Sequence, residues 1–325
     1  MSEFIDNPVF ICGHPKAGTS LVTALLDGHP NILAYPEETL FFRRFLPAIQ
    51  GKDFVERIDL AKKLLIHIFE WNQENPPEHQ QNFADRDYSH ISFPEVCQHM
   101  VDALPDQNPK PADFLNAAIL AFGRTTNLLT KNKRYWVEKT PYNELFTENI
   151  FKWWPRAKCI HIIRDPRDNF VSYERKHPEW TAKVFITNWN RSTRAGLDNL
   201  EKFGKEKYLI IRFEDLLTDP EEITREVANF LDIVWDNALL EPTRAGDDWQ
   251  GNSMFAEKYR SISTAPIGRW KDLIDPFELE IIQIIGEEII ALYDYDIAEV
   301  DRKSMNLKQN LYLLGERFKK KLKQL

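Results

Sequence analysis

Cysteine is scarce in this chain of 325 residues, which has only Cys12, Cys97 and Cys159. Three cysteines make no disulfide framework, and their spacing matches no zinc-binding pattern. Cys12 and Cys159 lie within apolar runs, which indicates buried free thiols and not reactive ones. Such cysteine usage is typical of a reducing compartment, so we expect a cytoplasmic protein.

Long apolar runs are also missing from the chain. No run approaches the ~18 residues of a transmembrane helix, so we expect no membrane-spanning segment. The N-terminal residues MSEFIDNPVF lack a basic region followed by an apolar one, so we expect no signal peptide. The composition, 43% hydrophobic and 28% charged, is that of a folded protein and excludes a disordered, collagenous or coiled-coil chain.

Positive charge is in deficit overall. The chain has 42 Lys and Arg residues and 50 Asp and Glu residues, so its net charge is −8. This acidity argues against a nucleic-acid partner. From Arg302 onward the balance reverses, and eight cations accompany the single anion Glu316. We expect residues 301–325 to form a basic helical tail, and we favour a solvated amphipathic helix. The alternative is a tail that contacts a membrane or an acidic partner.

Apolar runs and amphipathic segments alternate along the chain, which predicts a parallel sheet covered by helices on both faces. The expected fold is therefore α/β, in three layers, within a single domain over residues 1–300. A helical insertion is expected at about 50–131, and a long irregular stretch over 242–267 is expected to be functional or mobile. Strands are predicted at 8–12, 31–35, 135–139, 157–164 and 207–213. Helices are predicted at 18–28, 39–49, 53–74, about 95–104, 112–131, 143–153, 166–176, 181–203, 220–231 and 276–292, and a loop at 75–95.

Residues 13–20, GHPKAGTS, join the first strand to a helix and predict a phosphate-binding loop. Unpaired N–H groups at the helix start attract an anion, and Gly18 lets the backbone approach it. Thr19 and Ser20 add hydroxyl donors. The loop departs from the Walker pattern because Thr19 replaces its lysine, and the lysine stands earlier, as Lys16. We expect Lys16 to meet the terminal bridging oxygen of a short phosphate chain.

A second anion site is predicted where the strand at 157–163 ends, in the sequence IRDPRDNFVS over residues 163–172. The Arg164 guanidinium offers a bidentate fork to phosphate, and Ser172 on the following helix adds a hydroxyl. Ligands of open α/β sheets bind at such strand ends.

Together the two motifs resemble those of the sulfotransferases that use 3′-phosphoadenosine-5′-phosphosulfate (PAPS). The resemblance implies a P-loop-like fold, PAPS as co-substrate and the 3′,5′-bisphosphate PAP as product, with no metal required. It implies that residues 16–20 hold the 5′-phosphosulfate and that Arg164 and Ser172 hold the 3′-phosphate. Phe213 replaces a family tyrosine, and residues 268–270 resemble the segment that caps the nucleotide. The implied nucleotide-binding residues are Lys16, Ala17, Gly18, Thr19, Ser20, Arg164, Ser172, Phe213, Gly268, Arg269 and Trp270.

The catalytic residues that the resemblance implies are Glu38, Lys16 and Lys139. Residues 37–42, EETLFF, resemble segments of the tyrosylprotein and heparan sulfotransferases, in which the second glutamate removes the acceptor proton. That glutamate matches Glu38, whereas we expect Glu37 to be an anion that stabilises a helix start. Lys139 ends the strand at 135–139 and is the expected second cation. His161 stands within a strand, so we prefer Glu38 as the base.

The expected reaction is in-line transfer of a sulfuryl group to an acceptor hydroxyl or amine. Peptide tyrosine, a sugar, a lipid head group and a small alcohol all remain open as acceptors, and a homo-oligomer remains possible. A bacterial type of enzyme is favoured. One alternative is a P-loop nucleotide kinase, which would need a lysine at Thr19 and an acidic magnesium ligand. The other is a non-catalytic nucleotide-binding protein on the same fold.

Overall fold

Five parallel strands form the central sheet within the residues that the computed structural model describes, which are 2–71, 86–106, 108–255 and 257–323. The strands are β1 Pro8–Cys12, β2 Ile32–Ala34, β3 Tyr135–Lys139, β4 Lys158–Ile163 and β5 Tyr208–Arg212. Their order across the sheet is β2-β3-β1-β4-β5, and each lies where the sequence predicts a strand.

Helices cover both faces of this sheet, and those at 220–231 and 276–292 have the predicted bounds. The helices are α1 Ser2–Ile5, α2 Thr19–Asp27, α3 Leu46–Ala48, α4 Phe54–Leu64, α5 Ile68–Trp71, α6 Phe93–Ala103, α7 Pro111–Thr125, α8 Thr147–Trp153, α9 Pro166–Glu174, α10 Ala182–Phe203, α11 Phe213–Thr218, α12 Pro220–Leu231, α13 Trp270–Leu273, α14 Pro276–Leu292 and α15 Leu307–Lys323. A π-helix over Phe41–Phe45 and 3₁₀ turns over Asn143–Phe146, Asn237–Leu240 and Arg302–Ser304 also lie in the described ranges.

Strand β1 shows how the sheet divides the core into two layers. Phe10 and Cys12 pack into one hydrophobic cluster, while Val9 and Ile11 pack into another. Successive side chains of a strand point to opposite faces, and a parallel sheet needs cover on both. The expected three-layer α/β architecture is therefore confirmed. Cys12 and Cys159 are buried free thiols, as predicted.

The predicted helical insertion lies in the connection between β2 and β3, which are parallel neighbours in the sheet. Its helices α4 to α7 pack on the cluster that contains Phe10, and Phe114 and Phe122 of α7 are fully buried there. The segment is thus the β2–β3 crossover, enlarged by helices. Most of the loop predicted at 75–95 lies outside the described residues.

Several segments differ from the sequence-based expectation. The helix predicted over 53–74 is divided into α4 and α5, and the helix predicted over 112–131 ends at Thr125. The helix predicted over 39–49 starts as a π-helix at Phe41, after Leu40 in a left-handed conformation with φ 52°. The strand predicted to reach residue 213 ends at Arg212, because Phe213 begins α11 with acidic residues in its first turn. The irregular stretch 242–267 contains a short antiparallel pair, β6 Thr243–Arg244 and β7 Asp247–Asp248.

The basic tail folds as the expected helix, α15, and docks on the body of the protein. Leu313 and Glu316 are buried, and Glu316 forms an ion pair of 2.9 Å with Lys183 of α10. The domain limits at residues 300 and 301 stay a prediction. Among the described helices, none combines the length and the apolar character needed to cross a bilayer.

The contact between α10 and β4 generates a stability prediction. A Cβ on Gly196 of α10 would lie 2.6 Å from Nδ1 of His161, whose ring is fixed by a 2.8 Å hydrogen bond with Tyr208. Alanine gains about 1 kcal/mol over glycine in a helix, but overpacking costs about 1–3 kcal/mol. We therefore expect Gly196→Ala to lower the free energy of unfolding in urea by up to about 2 kcal/mol, and to leave it about 1–3 kcal/mol below that of a helix glycine replaced by alanine without a collision.

The matched control is Gly315→Ala in α15, where an added Cβ meets no described atom within 4 Å. It makes the same change of helix propensity without the collision, so we expect no loss of stability. A Gly196→Ala variant as stable as the Gly315→Ala variant would contradict this account of the packing.

Candidate active site

The loop between β1 and α2 is shaped by two glycines. Gly13 and Gly18 have φ values of 136° and 111°, which side-chain-bearing residues rarely adopt. A Cβ on Gly13 would lie 2.5 Å from the Ile162 carbonyl oxygen, and one on Gly18 would lie 2.4 Å from the Phe213 ring. Among the described residues, no side chain caps the start of α2. Its first N–H groups are therefore available to an anion, as the sequence predicts.

Lys16 is a half-buried cation in this loop, with φ 66°. Burial first, and then the positive charges of Lys176, Arg86 and Lys139, lower the pKa of Lys16 to about 7. A bound anion would offset both effects by neutralising the excess charge. Lys176 was not singled out from the sequence, because its proximity to Lys16 arises only from the fold.

Arg164 follows β4 and is buried beside the loop. Its guanidinium donates hydrogen bonds to the Lys16 carbonyl at 3.0 Å, to Ser172 Oγ at 3.2 Å and to the Pro266 carbonyl at 3.2 Å. It also lies 4.7 Å from the centre of the Phe213 ring. Its Nε is buried and has no hydrogen-bond partner among the described residues. A buried cation with an unused donor is poised to bind an anion.

The loop and Arg164 open onto one cleft. Eight of the predicted nucleotide-binding residues line it. They are Lys16, Gly18, Thr19, Ser20, Arg164, Ser172, Phe213 and Arg269. Another wall of the cleft comes from the irregular stretch 242–267. Its lining residues include Trp249, Asn252, Phe255, Tyr259 and Ile262.

This wall is tied to the rest of the cleft by polar contacts. Asn252 donates to Ser20 Oγ at 3.2 Å, and Arg269 donates to Glu257 at 2.7 Å and to Tyr259 Oη at 2.9 Å. Trp249 Nε1 is buried without a hydrogen-bond partner in the described structure. The sequence indicated this stretch only by its length and aromatic content.

The remaining three predicted nucleotide-binding residues do not line the cleft. Ala17 is buried in the core. The backbone N–H groups of Gly268 and Trp270 donate to the Asp168 carboxylate at 2.7 and 2.9 Å. The Trp270 ring packs 4.1 Å from the Arg167 guanidinium in a hydrophobic cluster. The Trp270 ring therefore lies in the core and not in the cleft lining, and its role in capping the nucleotide stays a prediction.

Glu38 and Lys139 form an ion pair at the end of β3, with 2.9 Å between Oε1 and Nζ. The Lys139 side chain is 9% exposed and the Glu38 side chain 40%, so the carboxylate is the accessible partner. Burial acts to raise the pKa of Glu38, but Lys139 holds that pKa below its ordinary value. Glu38 is therefore ionised at neutral pH and able to accept a proton.

Glu37 does not stand at a helix start, which corrects the expectation for this residue. Its carboxylate accepts hydrogen bonds from Arg244 at 2.8 Å and from Tyr88 Oη at 3.1 Å, and Arg86 lies 3.4 Å away. Burial acts to raise the pKa of Glu37, but Arg86 and Arg244 hold it below the ordinary value. Glu37 thus anchors the chain beside Glu38.

The sequence analysis missed the organising role of Glu138. This buried carboxylate accepts hydrogen bonds from Thr39 Oγ1 at 2.8 Å, Thr140 Oγ1 at 2.6 Å and Asn143 Nδ2 at 2.7 Å. It therefore holds the segments that carry Glu38 and Lys139 against each other. A glutamate inside the otherwise apolar run YWVEK was the available signal.

His161 lies in the core, as the sequence predicts. Burial lowers the pKa of His161 to about 3, so the ring is neutral, and its Nδ1 shares a hydrogen bond of 2.8 Å with Tyr208 Oη. It does not line the cleft. No group of His, Cys, Asp or Glu side chains suited to a metal ion is present in the described ranges.

Comparison with known proteins shows to which family this chain belongs. The profile of the sulfotransferase family matches residues 8–237. A protein-tyrosine sulfotransferase A of Caenorhabditis elegans is 24% identical over 239 residues, which are 71% of this chain and 51% of that protein. An omega-hydroxy-beta-dihydromenaquinone-9 sulfotransferase of Mycobacterium bovis is 24% identical over 254 residues, 70% of this chain and 63% of that protein. The chain spans about half the length of the first of these curated relatives.

Two solved structures have a similar fold. A sulfotransferase domain from the curacin biosynthetic pathway superposes with a TM-score of 0.59 at 18% identity, over 89% of this chain and 98% of that one. The sulfotransferase domain of the Synechococcus PCC 7002 olefin synthase gives 0.57 at 19% identity, over 90% and 96%. The expected P-loop-like fold is thereby confirmed. Because the matching profile covers the sheet, the phosphate loop and the Arg164 segment, this chain belongs to the sulfotransferase family.

Proposed function

We propose that this protein transfers the sulfuryl group of PAPS to an acceptor hydroxyl or amine. One observation carries the proposal, namely that two separate anion-binding groups open onto a single cleft. The first is the loop with Lys16, and the second is the buried Arg164 with Ser172. PAPS has two anionic groups, the 5′-phosphosulfate and the 3′-phosphate, so its charge pattern suits this arrangement.

The proposed reaction moves one proton and one sulfuryl group. The Glu38 carboxylate accepts the proton of the acceptor while the acceptor oxygen or nitrogen forms a bond to sulfur. The bond between sulfur and the bridging oxygen of the 5′-phosphate breaks, and the electron pair stays on that oxygen. Lys16 stabilises this developing charge, and Lys139 is the second cation for the sulfuryl oxygens. Positioning and charge stabilisation then supply most of the rate, as in phosphoryl transfer.

The kinase alternative lacks support in this chain. A Walker lysine would directly follow Gly18, where Thr19 stands, and membership of the sulfotransferase family favours sulfuryl transfer. The non-catalytic alternative is disfavoured because Lys16, Glu38, Lys139 and Arg164 are all present. A cytoplasmic location and independence from metal ions stay predictions of the sequence.

The names of the relatives indicate a broad class of acceptor. The relatives are named for protein tyrosine and for an omega-hydroxylated dihydromenaquinone, both of which offer a hydroxyl group. We propose a hydroxyl acceptor first and an amine second.

The donor assignment predicts ligand selectivity that depends on Arg164. At about 100 times its Kd, PAP should add about 2.7 kcal/mol to the free energy of unfolding, and AMP should need a much higher concentration for the same effect. Arg164→Lys keeps the charge but loses the fork, so we expect PAP binding to weaken by about 10²-fold and AMP binding to change little. Thermal unfolding with each ligand and with ATP measures this.

Unfolding of the Arg164→Lys variant without ligand is the control for its lost contacts to Lys16 and Pro266. Equal losses for PAP and AMP would remove Arg164 from the 3′-phosphate site. A preference of the wild type for ATP with magnesium would reopen the kinase alternative.

The base assignment predicts a loss of turnover without a loss of binding. Glu38→Gln retains an acceptor for Lys139 but cannot take up a proton, so we expect the rate to fall by about 10²- to 10⁴-fold. PAP affinity should stay within about threefold, since Glu38 does not line the nucleotide cleft. The measurement is PAP release from PAPS with a panel of phenols, sugars, alcohols and amines.

The same substitution at the neighbouring residue is the matched control. Glu37→Gln weakens a buried ion pair with Arg244, so it should lower the melting temperature, whereas Glu38→Gln should leave it nearly unchanged. Near-normal turnover of Glu38→Gln would exclude Glu38 as the base.

Lys16 predicts a pH dependence of PAP binding. With its pKa at about 7 in the free protein, Lys16 is charged below pH 7 and loses its charge as the pH rises through that value. We expect PAP affinity to fall by up to about tenfold per pH unit above pH 7. Titration calorimetry between pH 6 and 9 measures the profile.

Lys16→Arg is the matched control, because a guanidinium stays charged over this range while every other group, including those of PAP, titrates as before. Its affinity should be nearly constant above pH 7. The same slope in both proteins would show that another group causes the pH dependence.

A further inference from the structure

The C-terminal helix α15 is fixed to the body along one face only. Leu313 and Glu316 are buried there, and Glu316 pairs with Lys183 at 2.9 Å. Arg317 and Arg302 both pair with Glu280 of α14. These contacts hold the helix in place as a ridge on the surface of the protein.

The opposite face of α15 presents an apolar stripe to solvent. Five side chains on it are each more than half exposed, and they are Leu307, Leu311, Leu314, Phe318 and Leu322. At about 100° per residue they fall within a sector of about 80°, centred about 140° from the buried Leu313. No described residue covers this stripe, and it is longer than the single exposed apolar side chains that are normal on protein surfaces.

Positive charge accompanies the stripe. Lys308 and Lys319 lie along one side of it, and both are exposed, although Lys319 also pairs with Glu316 at 3.0 Å. From Arg302 onward the sequence has eight cations and one anion, a net charge of +7, whereas the rest of the chain has −15. Apolar residues beside lysines on one helix are typical of helices that lie in a membrane interface.

We propose that α15 is a docking surface for an anionic lipid bilayer, with the apolar stripe inserted among the head groups and the lysines on lipid phosphates. Charge complementarity favours lipid over a second copy of the chain, because two stripes in contact would bring two strongly positive helices together. The overall charge of −8 does not prevent docking. Charges more than about 10 Å away are screened at 0.1 M salt, so the bilayer interacts mainly with the local positive charge.

The proposal concerns where the enzyme is held and is independent of the reaction. The whole chain is mixed with vesicles of phosphatidylglycerol and phosphatidylcholine, and with vesicles of phosphatidylcholine alone, followed by sedimentation. We expect binding to the anionic vesicles, at least about tenfold weaker binding to the neutral ones, and release by 0.5 M salt.

Two substitutions and a matched control test the stripe itself. Leu311→Gln with Phe318→Gln should weaken binding to the anionic vesicles by about tenfold or more. Val234→Gln makes a similar change at a side chain that is 83% exposed on the body, and it should have no effect. Unchanged thermal unfolding and PAP binding of each variant verify the fold.

Absence of binding to anionic vesicles would overturn the proposal, and so would binding that the double substitution leaves intact, which would indicate charge alone. A dimer in light scattering that dissociates in the double variant, without vesicle binding by the wild type, would assign the stripe to a second copy and also overturn it.

Discussion

The parallel register of β1 between β3 and β4 is the constraint on which the site depends. Ile11 of β1 aligns with Lys139 of β3, and Cys12 aligns with His161 of β4. The strands therefore end at one edge of the sheet, where the phosphate loop, Lys139 and Arg164 follow within a few residues. A cleft at the carboxyl ends of the strands is the usual consequence of this topology. Groups more than 100 positions apart in sequence meet because three strands run in the same direction.

Buried charged side chains determine the electrostatic character of this edge of the sheet. The buried carboxylates accept hydrogen bonds from backbone N–H and hydroxyl groups. Asp168 accepts from the backbone of residues 268–270, and Glu138 accepts from the segments around Glu38 and Lys139. Lys16 lies near other cations, and Arg164 has a buried donor without a partner among the described residues. Because an isolated buried cation is costly, this excess of positive charge indicates a site completed by an anionic ligand. The pKa of Lys16 falls to about 7 mainly because of burial, and the neighbouring cations lower it as well.

The terminal helix places a second kind of surface on the same molecule. Its inward face is fixed by ion pairs to α10 and α14, and its outward face combines exposed leucines with lysines. The body is acidic while this helix is basic, so the two parts present surfaces of opposite charge. The cleft brings cationic side chains together below the surface, whereas the helix offers an extended, exposed surface.

The sequence by itself determined the α/β class, the strands, the phosphate loop and the Arg164 segment, because these depend on local apolar runs, glycines and motif spacing. Only the tertiary structure decided the rest. It turned Trp270 into the core, placed Glu37 in an ion pair with Arg244 and gave Glu138 its three partners. Such outcomes depend on which distant side chains compete for the same buried space and hydrogen bonds, and no local pattern encodes that competition.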